Sequence, residues 1–156
     1  MTDHRIIELE LDEQKFIRRN ADIEHERKIA IFDLLEANHF APVGEFTGPY
    51  KVQLSLEDNR LIFDVKDQGK AVDARIALPL SPYRRIIREY FLICESYFQA
   101  IKTEAPSRIE AIDMGRRGLH NDGAELLLER LSEKIELDPD TARRLFTLIC
   151  VLHIRA

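Results

Sequence analysis

Tryptophan is absent from this chain, and 156 residues include only two cysteines, two methionines, six glycines and six prolines. Two thiols cannot staple a small disulfide scaffold. Cys94 and Cys150 each fall in an apolar helical stretch, where a free cysteine acts as a small buried hydrophobe. No CxxC or mixed Cys/His spacing occurs, so no structural zinc ligand set is offered. Long apolar runs are also missing. The stretch from Leu145 to Leu152 is interrupted by Thr147 and falls far short of the roughly 20 residues of a membrane span. The start, Met1-Thr2-Asp3-His4-Arg5, has no apolar signal core, and a cytoplasmic location is expected.

An excess of positive charge is lacking as well. Twenty-eight acidic residues outweigh 23 basic ones, for a net charge of −5. The domain-wide footprint of a nucleic-acid binder is therefore not expected. The motifs GxGxxG, GKS/T, GxSxG and HExxH do not occur, so the sequence implies no nucleotide cofactor, nucleophile elbow or metalloprotease centre. The five histidines are His4, His25, His39, His120 and His153. No two have the i,i+3 or i,i+4 spacing that lets a helix present paired metal ligands. Neither a metal nor a cofactor is expected.

What is present describes one α+β domain over residues 1–156, with 45% hydrophobic and 33% charged residues. A chain of this length buries about 70% of its unfolded surface without a staple. Residues 5–11 alternate, with Ile7, Leu9 and Leu11 expected on one face. A short helical turn through Phe16 and Ile17 follows Asp12, and a helix capped by Asp22 runs to about Asn38. Two prolines and two glycines make 39–49 a loop, pinned by Phe40 and Phe46.

The span 50–78 reads as a three-stranded antiparallel meander with turns at Glu57-Asp58-Asn59 and Asp67-Gln68-Gly69. The strand at 5–11 is a candidate fourth member. The outward positions of the meander lack aromatics, which argues against base stacking on the sheet. One helix precedes the sheet and a block of about four follows. Ser81 is the expected cap and Pro82 the first position of a long helix. Further helices are expected over 106–115 and over 122–137, the latter with a capping box Asp122-Gly-Ala-Glu125. A last helix opens at Asp138-Pro139 and is apolar on nearly all sides. Such a helix is central to the core or buried in a homodimer.

Two clusters carry possible chemistry. Between the helices expected at 106–115 and 122–137, Gly115 and Gly118 suggest a turn that presents Arg116, Arg117, His120 and Asn121 beside a helix start. Fixed guanidinium charge and free N–H groups suit a phosphate, a carboxylate or an acidic protein partner, although Asp122 and Glu125 oppose an anion there. The bland alternative is a glycine-ended helix with ordinary salt bridges. The second cluster is Arg84, Arg85 and Arg88 at the start of the long helix, where cations are mildly unfavourable. Arg85 can pair with Glu89, and the others with Glu8 and Glu10. Residues 81–120 hold seven basic against five acidic side chains.

The leading functional reading is a binding or regulatory module for an anionic ligand, with His120 tuning affinity between about pH 5 and 8. The alternatives are an assembly partner that dimerises through the last helix and an enzyme. In the enzyme, His120 would act as acid or base, oriented by Asp113 or Glu110.

Three stretches carry a resemblance to a known family. They are Asp-Ile-Glu-His-Glu-Arg-Lys-Ile-Ala-Ile-Phe-Asp-Leu-Leu-Glu (22–36), Leu-Pro-Leu-Ser-Pro-Tyr-Arg-Arg-Ile-Ile-Arg-Glu-Tyr-Phe (78–91) and Gly-Arg-Arg-Gly-Leu-His-Asn-Asp-Gly-Ala-Glu (115–125). Over nearly its whole length the chain resembles an uncharacterised protein family of alphaproteobacteria. That resemblance implies a bacterial cytoplasmic protein and carries over no activity, cofactor or catalytic residue.

Overall fold

Three runs of alternating apolar residues become three neighbouring strands of one sheet. In the computed structural model, which describes residues 2–12 and 21–152, they form β3 (Tyr50–Glu57), β4 (Arg60–Asp67) and β5 (Val72–Pro79). The three pair as an antiparallel meander, Val52 opposite Val65 and Leu54 opposite Phe63. β1 (Ile6–Leu11) joins as the fourth strand, parallel to β3, giving the order β1-β3-β4-β5. Tyr50, Val52, Leu54, Leu61, Phe63, Val65 and Leu78 are buried on the face that meets the helices. On the outer face, Arg75 pairs with Glu57 and Asp64. The α+β architecture expected from the sequence holds.

β1 departs from the expected alternation. The register against β3 slips between Ile6 and Glu8, so Ile7 is the extra residue of a bulge and stands 37% exposed. The bulge turns Ile6 into the core in place of Ile7, while Leu9 and the partly buried Leu11 face it as expected. The helical turn expected through Phe16 and Ile17, the Asp22 side chain and His153 lie outside the described residues.

α1 (Ala21–Glu36) follows, and then the segment expected to be a loop. Part of it is a strand. β2 (Phe40–Pro42) pairs antiparallel with β6 (Ile135–Leu137). The partner lies almost a hundred residues away, so no local pattern marks the pairing. Phe40 is fully buried, as its pinning role requires.

One carboxylate ties the loop before β3 to the β4–β5 turn. Asp67, 1% exposed, accepts N–H bonds from Thr47 (2.8 Å), Gly48 (3.0 Å), Gly69 (3.0 Å) and Lys70 (3.3 Å). Gly69 must be small here, because a Cβ would lie 2.3 Å from the Thr47 hydroxyl. Burial by itself would raise the Asp67 pKa, and the four backbone donors outweigh it and bring it below the ordinary value.

The helices after the sheet correct two expectations. Ser81 does not cap the long helix. Residues Ser81–Tyr83 form a 3-10 turn, and α2 (Arg84–Thr103) begins after it. The Ser81 hydroxyl instead accepts a bond from the Asn59 amide. The helices expected over 106–115 and 122–137 are one, α3 (Pro106–Leu131), running unbroken through Gly115 and Gly118. There is no interhelical turn and no capping box at Asp122. Neither glycine adopts a positive φ, and each costs an interior helix only about 1 kcal/mol. Packing of α3 against its neighbours overrides that cost. Three α-helices rather than four therefore follow the sheet. The last, α4 (Pro139–Leu152), opens as expected, with the Asp138 carboxylate accepting the Thr141 N–H at 3.0 Å. Leu145, Phe146, Leu148, Ile149 and Leu152 are buried within the chain. Of the two readings of this helix, the structure has the core.

Candidate functional site

α3 packs against both α2 and α4, and α4 also packs against α1. The four helices enclose a cleft of about 650 Å³. Ile29, Ala30 and Asp33 come from α1, and Tyr90, Cys94, Tyr97 and Phe98 from α2. Arg116, Arg117, His120 and Asn121 come from α3, spaced so that one helical face carries them. α4 adds Asp140, Arg143, Arg144 and Thr147, and the exposed His25 stands at the rim.

Two guanidinium groups of α3 share a carboxylate one turn back. Arg116 meets Asp113 at 2.6 Å and Arg117 meets it at 3.0 Å. The hydrogen bond from Arg116, with the charges of both arginines, holds Asp113 below the usual carboxylate range. Arg116 also lies 4.9 Å from the Tyr97 ring centre, a cation–π contact. On α4, Arg143 pairs with Asp140. Arg144 makes no ion pair among the described residues.

His120 sits at the floor of the cleft. Its Nε2 is 2.7 Å from the Thr147 hydroxyl, and that hydroxyl lies 3.3 Å from the Arg143 carbonyl. With the hydroxyl donating to the carbonyl, Nε2–H donates to the hydroxyl, so the neutral imidazole carries its proton on Nε2. Tyr90 and Phe146 flank the ring at 5.5 and 5.4 Å between centroids. Burial, and then the charges of Arg116 and Arg143, push its pKa down to about 4. His120 therefore stays neutral across the window in which it was expected to tune affinity. Among the described residues no carboxylate bonds it. Asp113, expected as its partner in an enzyme, is taken by the two arginines. Among the described residues no group of three metal-ligating side chains converges.

The structure brings together four of the seven candidate residues, Arg116, Arg117, His120 and Asn121. It sets the other three apart. Arg84 and Arg88 border a separate recess of about 250 Å³ with Asn59, Leu80, Ile87 and Phe91. Arg85 pairs with Glu89 at 2.9 Å, as its spacing predicts. Glu8 and Glu10, expected to pair with Arg84 and Arg88, lie on β1, at the sheet edge opposite the β5 strand that feeds α2. Arg143, Arg144 and Thr147 belong to the cleft and were missed. The Arg143-Arg144 pair was legible, but only as one charged side of a helix read for its apolar face.

The site defines a class of protein: an α+β domain with an arginine-rimmed cleft between four helices, where His120 bonds a hydroxyl and not a carboxylate. The chain belongs to the Uncharacterised protein family (UPF0262), whose profile matches residues 3–155. It is 59% identical over 151 residues to a UPF0262 protein of Paramagnetospirillum magneticum, covering 97% of this chain and 96% of that one. A UPF0262 protein of Rhodospirillum rubrum is 57% identical over 154 residues, covering 99% and 94% of the two chains. One from Brucella canis is 58% identical over 153 residues, covering 97% and 94%. No solved structure matches the chain. No helix among the described residues is long and apolar enough to cross a membrane.

Proposed function

We propose that the protein is a small cytoplasmic binding module that holds an anionic small molecule in the cleft between α1, α2, α3 and α4. One observation carries this reading. Four arginines from two helices, Arg116, Arg117, Arg143 and Arg144, converge on a single concave cleft of about 650 Å³, within the range of small-molecule sites. A concave site suits a small molecule better than the flat face of an acidic protein. Arg144, without an ion pair among the described residues, is the natural anchor, and Arg117, 74% exposed, would turn inward by giving up its bond to Asp113. His120 then serves as a neutral hydrogen-bonding floor. Arg84, Arg85 and Arg88 lie outside the cleft and play no part.

The test is thermal stability of the full chain against inorganic phosphate, sugar phosphates and organic carboxylates at low and high salt. A ligand at 100 times its dissociation constant adds about 2.7 kcal/mol, a rise of roughly 5–10 °C for a domain of this size. Arg144→Gln is expected to remove the shift while leaving the unliganded melting temperature within about 2 °C, since no ion pair is lost. Arg116→Gln is the less informative change, because it leaves Asp113 short of a donor. No shift with any anion, or a shift that Arg144→Gln leaves unchanged, overturns the reading.

A further inference from the structure

The lining of the cleft is divided by helix. All four arginines come from α3 and α4, whereas Ile29 and Ala30 come from α1, and Cys94, Phe98 and the rings of Tyr90 and Tyr97 from α2. The α3–α4 side of the cleft is cationic, and the α1–α2 side is mostly aliphatic and aromatic, with His25 and Asp33 its polar members. We propose that its ligand is an amphipathic monoacid, a single carboxylate or phosphate carried on an apolar body. This inference rests on the reading of the cleft as an anion site and adds the nature of the rest of the ligand.

Charge bounds the head group. The four arginines stand against Asp33 and Asp140 in the lining and Asp113 just behind it. That near balance suits one anionic group and not a polyphosphate, a nucleic acid or an acidic peptide. Exposure bounds the body. Ile29 and Phe98 stand 45% and 42% exposed although both line the cleft. A sugar phosphate would satisfy the arginines and leave those side chains wet. An alkyl or aromatic body would cover them, and burial of apolar surface is what stabilises such a complex. The volume agrees, because about 650 Å³ is far more than a lone phosphate fills.

The experiment is isothermal titration of the full chain with ω-phenylalkanoates of two to six carbons, their alcohol counterparts, and ribose 5-phosphate. Affinity for the acids is expected to rise about fourfold per methylene until the cleft is filled. The alcohols are expected to bind at least tenfold more weakly, having lost the charge-assisted bonds. Ile29→Gln and Phe98→Gln, both at exposed positions, are expected to flatten the dependence on chain length and to lower affinity for the longest acid far more than affinity for ribose 5-phosphate. If ribose 5-phosphate binds as tightly as every phenylalkanoate and chain length has no effect, this inference is overturned and the anion site stands. If no anion binds, or the alcohols match the acids, the anion site falls and the inference with it.

Discussion

Protonating His120 would add a charge beside Arg116 and Arg143 against the Tyr90 and Phe146 rings, and its lowered pKa keeps the imidazole neutral instead. A cost for stability in acid follows. The unfolded chain takes up the proton near pH 6.5, whereas the folded chain resists until about 4. Stability is therefore whole above the unfolded value and falls as pH drops from about 6.5 to 4, by about 3 kcal/mol in all. Asp67 acts lower on the scale. Its folded pKa is depressed, so its contribution is present above the ordinary aspartate value of about 4 and is lost as pH falls through the folded one. Urea unfolding followed from pH 8 to 3 reads both groups. His120→Gln is expected to remove the decline between about 6.5 and 4. Asp67→Asn is expected to cost roughly 2–4 kcal/mol at neutral pH, through crowded donors, and to flatten the limb below about 4. Wild-type slopes in both variants would show that other groups set the acid limb.

At the scale of the element, α3 shows how glycine is used without a turn. Gly123 lies where a Cβ would come 2.3 Å from the Phe146 ring, so its hydrogen allows α3 to meet α4. Gly118 has nothing within 4 Å of the same construction. The two positions predict opposite outcomes from one substitution. Gly118→Ala is expected to stabilise by up to about 1 kcal/mol through helix propensity and the unfolded chain. Gly123→Ala is expected to destabilise by about 1–3 kcal/mol through overpacking. Chemical denaturation of the two variants checks this, and equal effects would contradict the packing. β1 teaches the same lesson in a strand. Its alternation was legible, but the bulge at Ile7 decides which residues point inward.

For the whole molecule, the core joins one face of the sheet to α4, with Leu145, Phe146, Leu148 and Ile149 at or near zero exposure. Leu145→Ala is expected to cost about 2–5 kcal/mol and to leave the hydrodynamic mass of the folded protein unchanged. A change in mass would mean that α4 makes an interface between copies rather than the interior of one.

β1, the meander β3 to β5, α2 and α4 were readable because their patterns are local. A period of two over 50–79 and a helical period after Ser81 each describe a face that must be buried, whatever buries it. The Arg85–Glu89 pair and the Asp138 cap were readable for the same reason, since both partners lie within one turn. Only the tertiary structure decided whether α3 continues through its glycines, because a cost of about 1 kcal/mol at each is smaller than the packing of α2 and α4 against it. It alone paired β2 with β6 and drew Arg143 and Arg144 to Arg116 and Arg117. Those contacts join residues far apart in the chain, and their energy comes from burying faces against one another, which no single segment encodes.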